Sequence, residues 1–201
     1  MFTGIVAAIG RVVEVKRQGN NTRMLVHASE LPLDQVKLGD SLCVHGVCLT
    51  VVEKRDREFA ADLSPETLAV TTLGALAPGS RVHLEPALTL ASPLGGHLVT
   101  GHVDGIGSVV QRAEQGETYR FQIQAPEILR RYISRKGCVC VDGVSLTVHA
   151  VKGAEFSVQI IPHTVHKTTL GDYTEGQSVN IEVDILARYI ESLLAASKEV
   201  R

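Results

Sequence analysis

The chain alternates short apolar stretches with polar or glycine-rich breaks and rarely keeps a helical period. GRVVEVKR, RMLVHA, SLCVHGVCLTVVEK, EFAADL and RVHLEPAL are rich in β-branched residues and each is bounded by turn signals. Six strands of this kind in about 90 residues predict an all-β unit, a small closed barrel that leaves no exposed edge. Helical turns are expected at LPLDQV (31–36), PETLAV (65–70) and PEILRRYI (126–133), where a proline precedes a helix-compatible run. The last stretch, ILARYIESLLAASKEV, differs in kind. Its apolar residues at 186, 189, 190, 193 and 194 keep helical spacing, with Asp184 as N-cap. That stripe either packs on its own barrel or joins copies of itself.

The pattern is written twice. Residues 1–89 lie over 98–186 without a gap, and by direct count about 30 of the 89 positions are identical. TGIVAAIGRVV (3–13) faces TGHVDGIGSVV (100–110), CVHGVCLTV (43–51) faces CVDGVSLTV (140–148), and PETLAVTTLG (65–74) faces PHTVHKTTLG (162–171). Two units are too few for a solenoid. The expected organisation is therefore a barrel over 1–90, a second over 98–184, and a helix over 185–201, with ASPLGGH (91–97) as linker.

In a duplicated chain the matched positions that changed chemistry are the informative ones. Ile5 faces His102, Ser41 faces Cys138, His45 faces Asp142, Cys48 faces Ser145, and Glu66 faces His163. The glycines and the LTV strands are kept. Two similar pockets with different duties are the expected result.

Composition narrows the classes. A net charge of −2 advertises no nucleic-acid partner, and 4% aromatics without tryptophan offer no base-stacking platform. No apolar run approaches the roughly 20 residues of a membrane span. The N-terminus lacks a signal-peptide pattern, so a cytoplasmic protein is expected. Cys43, Cys48, Cys138 and Cys140 have C-x4-C and C-x-C spacings, which favour free thiols over a disulfide or zinc site.

MFTGI at the start, GDSLCVHGVCLTV (39–51), GGHLVTGHVDG (95–105), DGVSLTV (142–148) and IPHTVHKTTLG (161–171) resemble the riboflavin synthases of the alpha-chain type. The likeness spans essentially the whole chain, in order. It implies two six-stranded Greek-key barrels and a homotrimer held by C-terminal helices, with sites shared between subunits. Two molecules of 6,7-dimethyl-8-ribityllumazine would exchange a four-carbon unit, giving riboflavin and 5-amino-6-ribitylamino-uracil. No metal or organic cofactor is implied. Docking with lumazine synthase is left open. Holding donor and acceptor face to face turns a bimolecular encounter into an effectively unimolecular one, which explains the duplication.

The resemblance also implies roles. Cys48 stands near C7 of the acceptor as nucleophile or shaping group, and Ser41 orients a water or the ring. His102 takes a proton from the donor's C7 methyl or protonates a leaving nitrogen, work suited to an imidazole. His97, in GGH, has a catalytic or structuring part, and Phe2 walls the site or belongs to the core. The rings lie against Gly4, Ile5 and Val6 and against Gly101 and Val103, where glycine permits close approach. Leu49 and Thr50, and Ser145, Leu146 and Thr147, meet the pyrimidinedione edges. Asp62, Leu63, Ser64, Pro65, Glu66 and Thr67 supply one further wall. Gln159, Ile160, Ile161, Pro162, His163 and Thr164 supply the other. Lys136 binds ribityl or carbonyl oxygens, and Asp142 tunes a neighbour. His45 departs from the family's usual Asn before Gly46. Cys48 belongs to the first unit and His102 to the second, so the expectation is that a site takes one from each of two subunits.

Two other classes compete. A non-catalytic lumazine-binding antenna protein shares the tandem barrels, but Ser41, Cys48, His97 and His102 argue for turnover. A reductase's flavin barrel carries R-x-Y-S, but in RRYIS Tyr132 is followed by Ile133 and no dinucleotide fingerprint is present.

Overall fold

The computed structural model describes residues 1–199, so positions 200 and 201 of the expected helix lie outside the described residues. The first barrel comprises β1 (Ala8–Gln18), β2 (Asn21–His27), β3 (Ser41–Val44), β4 (Val47–Arg55), β5 (Glu58–Leu63) and β6 (Arg81–Pro86). It closes in the order β1-β2-β5-β4-β3-β6. The second repeats the circuit as β7-β8-β11-β10-β9-β12, from β7 (Gly105–Gln115), β8 (Thr118–Gln124), β9 (Cys138–Val141), β10 (Val144–Lys152), β11 (Glu155–Ile160) and β12 (Ser178–Val183).

Period-2 alternation explains the cores. Leu42, Val44, Val47, Leu49 and Val51 point into the first barrel, and their copies Val139, Val141, Val144, Leu146 and Val148 fill the second. Each barrel also bends at two register slips. These lie between Val12 and Glu14 and between Val51 and Glu53 in the first, and between Val109 and Gln111 and between Val148 and Ala150 in the second. An extra residue at a bulge adds the twist that closure needs.

PETLAV forms α1 (Pro65–Val70) and its copy forms α2 (Pro162–Lys167), each opened by proline at a position whose N–H would be orphaned anyway. The other two expected turns are 3-10 segments, Leu33–Gln35 and Glu127–Tyr132. The terminal helix α3 (Ile185–Glu199) starts where Asp184 Oδ1 accepts from Leu186 N–H at 3.0 Å. Its polar side is tied to the second barrel: Arg188 reaches Asp104 at 2.7 Å, and Glu191 meets Arg131 and Tyr132. The apolar stripe does not fold back on that barrel. Leu186, Tyr189, Ile190, Leu193 and Leu194 are all exposed, Leu193 by 71%.

The barrels meet along a pseudo-twofold axis. The hairpins β3–β4 and β9–β10 turn through His45-Gly46 and Asp142-Gly143, all four at positive φ (52°, 86°, 47° and 84°), as a two-residue type I′ turn demands. The two turns press together so closely that a Cβ on Gly46 would stand 2.7 Å from Gly143 N. Beside them, Phe2 and Val99 exchange backbone hydrogen bonds (2.7 and 3.0 Å) and pack with Cys43 and Cys140.

Candidate functional site

Each T-G-x-V segment is clamped to its own barrel and lies across the other. Glu85 accepts from Thr3 N–H and Oγ1–H at 2.6 Å and from Gly4 N–H at 3.0 Å. Gly4 C=O then accepts from Ser145 N–H at 2.8 Å, on β10 of the second barrel. The copy is faithful: Glu182 accepts from Thr100 (2.6 and 2.7 Å) and from Gly101 N–H (2.9 Å), and Gly101 C=O accepts from Cys48 N–H at 2.8 Å. Burial pushes both glutamates above the usual carboxylate range, and these donors oppose it. Gly4 and Gly101, at φ +75° and +77°, leave no room for a side chain: a Cβ would meet Ser145 Cβ at 2.6 Å or Cys48 Cβ at 2.7 Å.

The crossing also brings candidate residues of the two halves together within one chain. Residues 100–103 leave the second barrel and cover the first, so Cys48 and the His102 segment meet within one chain, and Val103 packs on the first core. His102 itself is exposed, its N–H bonded to Thr100 Oγ1 (3.2 Å) and its C=O to Arg188 (3.0 Å). Arg188 and Asp104, which sequence reasoning missed, thus fix that loop from α3. The first half has Ala7 at the position matching Asp104.

Gly4, Ile5 and Val6 conversely belong to the second pocket. A cavity of about 210 Å³ lies between them and Ser145, His163, Thr164, Lys167 and Thr168. Lys167 was not singled out by the sequence; its match, Val70, is apolar. Outside the cavity, His97 Nδ1 is 2.7 Å from Ser145 Oγ, and burial lowers the pKa of the imidazole. The four residues expected to do chemistry are therefore divided. Cys48 lies against the segment that carries His102, and His97 bonds Ser145 beside the second-barrel cavity. Ser41, opposite Thr50 on β4, lines a separate groove of about 670 Å³ with Met1, Gln35, Asp40 and Thr89.

Several expected wall residues have other duties. Phe2 is fully buried in the cluster between the barrels. Leu49, Leu63, Leu146 and Ile160 point inward into the barrel cores, because strand alternation turns them from the outer face. Asp62 is held by Arg23 in a bidentate pair (2.7 and 2.9 Å), which keeps its pKa below the ordinary value, and the Gln159 amide donates to Thr118. Ser64 caps α1 by accepting from Thr67 N–H at 3.1 Å, while Ile161 at the matching place has no cap bond and is exposed. Pro65 and Pro162 start the two helices, beside exposed Glu66 and His163. Thr67 and Thr164 are half-buried, and Thr50 and Thr147 face outward. Lys136 is exposed at φ +68°, a conformation that costs a non-glycine residue; Gly39 holds the matching position.

Asp142 is completely buried on the axis, away from both pockets. It accepts from Tyr173 O–H (2.6 Å) and Asn180 N–H (2.7 Å), with His45 Nε2 at 3.5 Å; burial pushes its pKa up to about 6. His83 Nε2 accepts from Thr169 N–H (2.8 Å), so Nδ1 carries the proton and donates to Asp142 C=O (2.7 Å). Asn180 does the same work in mirror image, accepting from Thr72 N–H (2.7 Å) and donating to His45 C=O (2.8 Å). Burial lowers His45 to about 4 and His83 to about 3. All four cysteines are free thiols, with burial raising Cys43 and Cys140.

Comparison with known proteins fits this doubled geometry. A lumazine binding domain model matches residues 3–87 and again 100–184. The chain is 45% identical to the riboflavin synthase of Photobacterium phosphoreum, covering 98% of this chain and 91% of that one. It is 44% identical to that of Mycobacterium tuberculosis (98% and 100%) and 35% to that of Bacillus subtilis (99% and 92%). Among solved structures, LumP complexed with riboflavin superposes with a TM-score of 0.84 at 25% identity, covering 91% of this chain and 99% of that one.

Proposed function

Because the chain belongs to the riboflavin synthase family, we propose that its two pockets hold the two lumazines of one transfer reaction in different chemical settings. The activity is riboflavin synthesis: one 6,7-dimethyl-8-ribityllumazine gives a four-carbon unit to another, leaving 5-amino-6-ribitylamino-uracil. The observation that carries the division of duties is the crossing of the T-G-x-V segments. It brings the segment carrying His102 against Cys48 of the first barrel and lines the second pocket with Ile5 and Ser145. In the first pocket an imidazole is available to move the C7-methyl proton, and the Cys48 thiol stands beside it as nucleophile or wall. The second offers hydroxyls, with His163 and Lys167, for the carbonyl edge of the other ring. Lys136 serves ribityl or carbonyl oxygens, from a turn whose positive φ it shares with the matched Gly39.

Incubation of the protein with the lumazine and no added cofactor should yield riboflavin. Binding without turnover would favour the antenna-protein reading instead.

The exposed stripe of α3 supports a homotrimer held by three such helices. A chain cut after Asp184 should keep folded barrels but lose the trimer, and light scattering that finds the same mass for both chains would overturn this. Each working site then joins the first pocket of one subunit to the second pocket of its neighbour. A Cys48→Ser chain and a Ser145→Ala chain, allowed to exchange subunits, should regain activity above the parental mean; no gain would remove the shared site. A cytoplasmic location belongs to the same reading, and cell fractionation checks it.

A further inference from the structure

His97 is 8% exposed, and its two ring nitrogens have unequal surroundings. Nδ1 lies 2.7 Å from Ser145 Oγ, whereas Nε2 is buried with no hydrogen-bond partner among the described residues. The segment holding the ring cannot easily move. His97 N–H donates to Thr3 C=O at 3.1 Å, and a Cβ on Gly96 would stand 2.1 Å from that carbonyl oxygen.

A neutral imidazole carries one N–H and one bare nitrogen. With the proton on Nε2, a buried donor would have nothing to bond, the more costly kind of orphan. With the proton on Nδ1, the ring donates to Ser145 Oγ and leaves only a lone pair unmatched. Burial lowers the ring's affinity for a second proton. Once Oγ accepts from His97, the serine's own hydroxyl proton must point elsewhere, and no other partner for that hydroxyl exists among the described residues. Ser145 lines the second pocket, and its backbone N–H is already engaged by Gly4 C=O.

We propose that His97 is a positioning residue that holds its proton on Nδ1 and so makes Ser145 a hydrogen-bond donor to an acceptor atom of the ring in the second pocket. That acceptor is a carbonyl oxygen or an unprotonated ring nitrogen of the pteridine, and the assignment rests on the reading that a lumazine occupies this pocket. The first pocket is built otherwise. Cys48 fills the place matching Ser145, and a thiol is a weak donor.

Replacement by Asn and by Gln separates this from packing. An Asn amide N–H reaches the place of Nδ1–H, whereas a Gln amide reaches the place of Nε2 and leaves Ser145 without its donor. In steady-state riboflavin formation by the full-length protein, His97→Asn should stay within about 3-fold of wild-type KM. His97→Gln should raise KM about 10-fold, the scale of one hydrogen bond. Ser145→Ala should match His97→Gln, and the double variant should add nothing further, as expected of groups acting as one unit. Nitrogen NMR of labelled protein, with His97 assigned by its loss in His97→Leu, should show the proton on Nδ1. A proton on Nε2, or Gln outperforming Asn as volume alone predicts, overturns the proposal. A wild-type protein that makes no riboflavin overturns the functional reading instead, while the nitrogen spectrum still reports the tautomer.

Discussion

The first pocket and the second are made from the same parts in the same order, yet they present different chemistry. Both use a buried glutamate to clamp a T-G-x-V segment, a positive-φ glycine to bring it against a strand, and a proline-started helix at the rim. Against the first lies the segment that carries His102, beside Cys48, whereas the second is lined by an isoleucine, a serine backed by a buried histidine, and a lysine. The lesson is a separation of labour among residues. Glycines, clamps and bulges fix where a ring can lie, and their duplication keeps that geometry equal. The few positions free to differ decide what happens to the ring.

The largest expected effect tests whether chemistry sits on one side. His102→Gln should lower turnover by about 10²–10⁴, the scale of a lost general acid–base group. Ile5→Gln, at the matched place, should cost less than about 10-fold. Equal losses in a riboflavin assay would erase the distinction between the pockets.

The clamps test the opposite claim, that geometry is shared. Glu85→Gln and Glu182→Gln each turn an amide N–H toward a donor, and each should cost about 2–4 kcal/mol from loss of charge-assisted bonds. Denaturant titration that finds only one of them harmful would break the symmetry.

A smaller effect comes from the axis, where His83 and Asn180 do one job with different side chains. The buried His45 and His83 have folded pKa values of about 4 and 3, below the ordinary 6.5, so their contribution is present above about pH 6.5 and is lost as pH falls through 4 and 3. Asp142 acts in the other sense: its value, raised from 3.8 to about 6, means that its contribution is lost as pH rises through 6. Two histidines outweigh one carboxyl, so stability should fall between pH 6.5 and 4. His83→Asn keeps the two hydrogen bonds and removes one titrating group. Its unfolding midpoint should depend less on pH in that window, at a neutral-pH cost of about 1 kcal/mol for lost packing. An unchanged pH profile in thermal melts would count against the mirror equivalence.

The smallest concerns the rim helices. Ile161→Ser should supply α2 with the cap that Ser64 gives α1, adding about 0.5–1 kcal/mol, and Ser64→Ala should remove as much. Thermal melts that move both variants the same way would show that the caps are not equivalent.

Much of this was legible in the chain. Period-2 stretches gave the strands, the gapless repeat gave two units, and changed matched positions pointed to Cys48, Ser145 and His102. The landing place of residues 3–6 and 100–103 was not legible, because a repeat reads the same whether each arm covers its own barrel or the other. The segment of His102 was therefore read with the second barrel, whereas it lies against Cys48 of the first. Phe2 lies in a stretch without strand alternation, which left wall and core as equal readings, and Asp142 was given a tuning part because the resemblance carries its D-G position. The V-D-G-V hairpin was the available clue to its place in a turn. Arg188 and Asp104 are far apart in sequence, and Arg188 lies in a helix that has no counterpart in the first half.

The crossed arms also set an order of events at the ribosome. β1 to β6 are complete once residue 86 has emerged, but the Gly4 carbonyl finds no partner until Ser145 has been made. At 5–20 residues per second that interval is on the order of ten seconds. During it the nascent barrel holds its leading arm through Glu85, with the far side of Ile5 and Val6 uncovered. Nascent chains stalled short of residue 145 would hold Ile5 and Val6 open to a protease, and chains released past it would not.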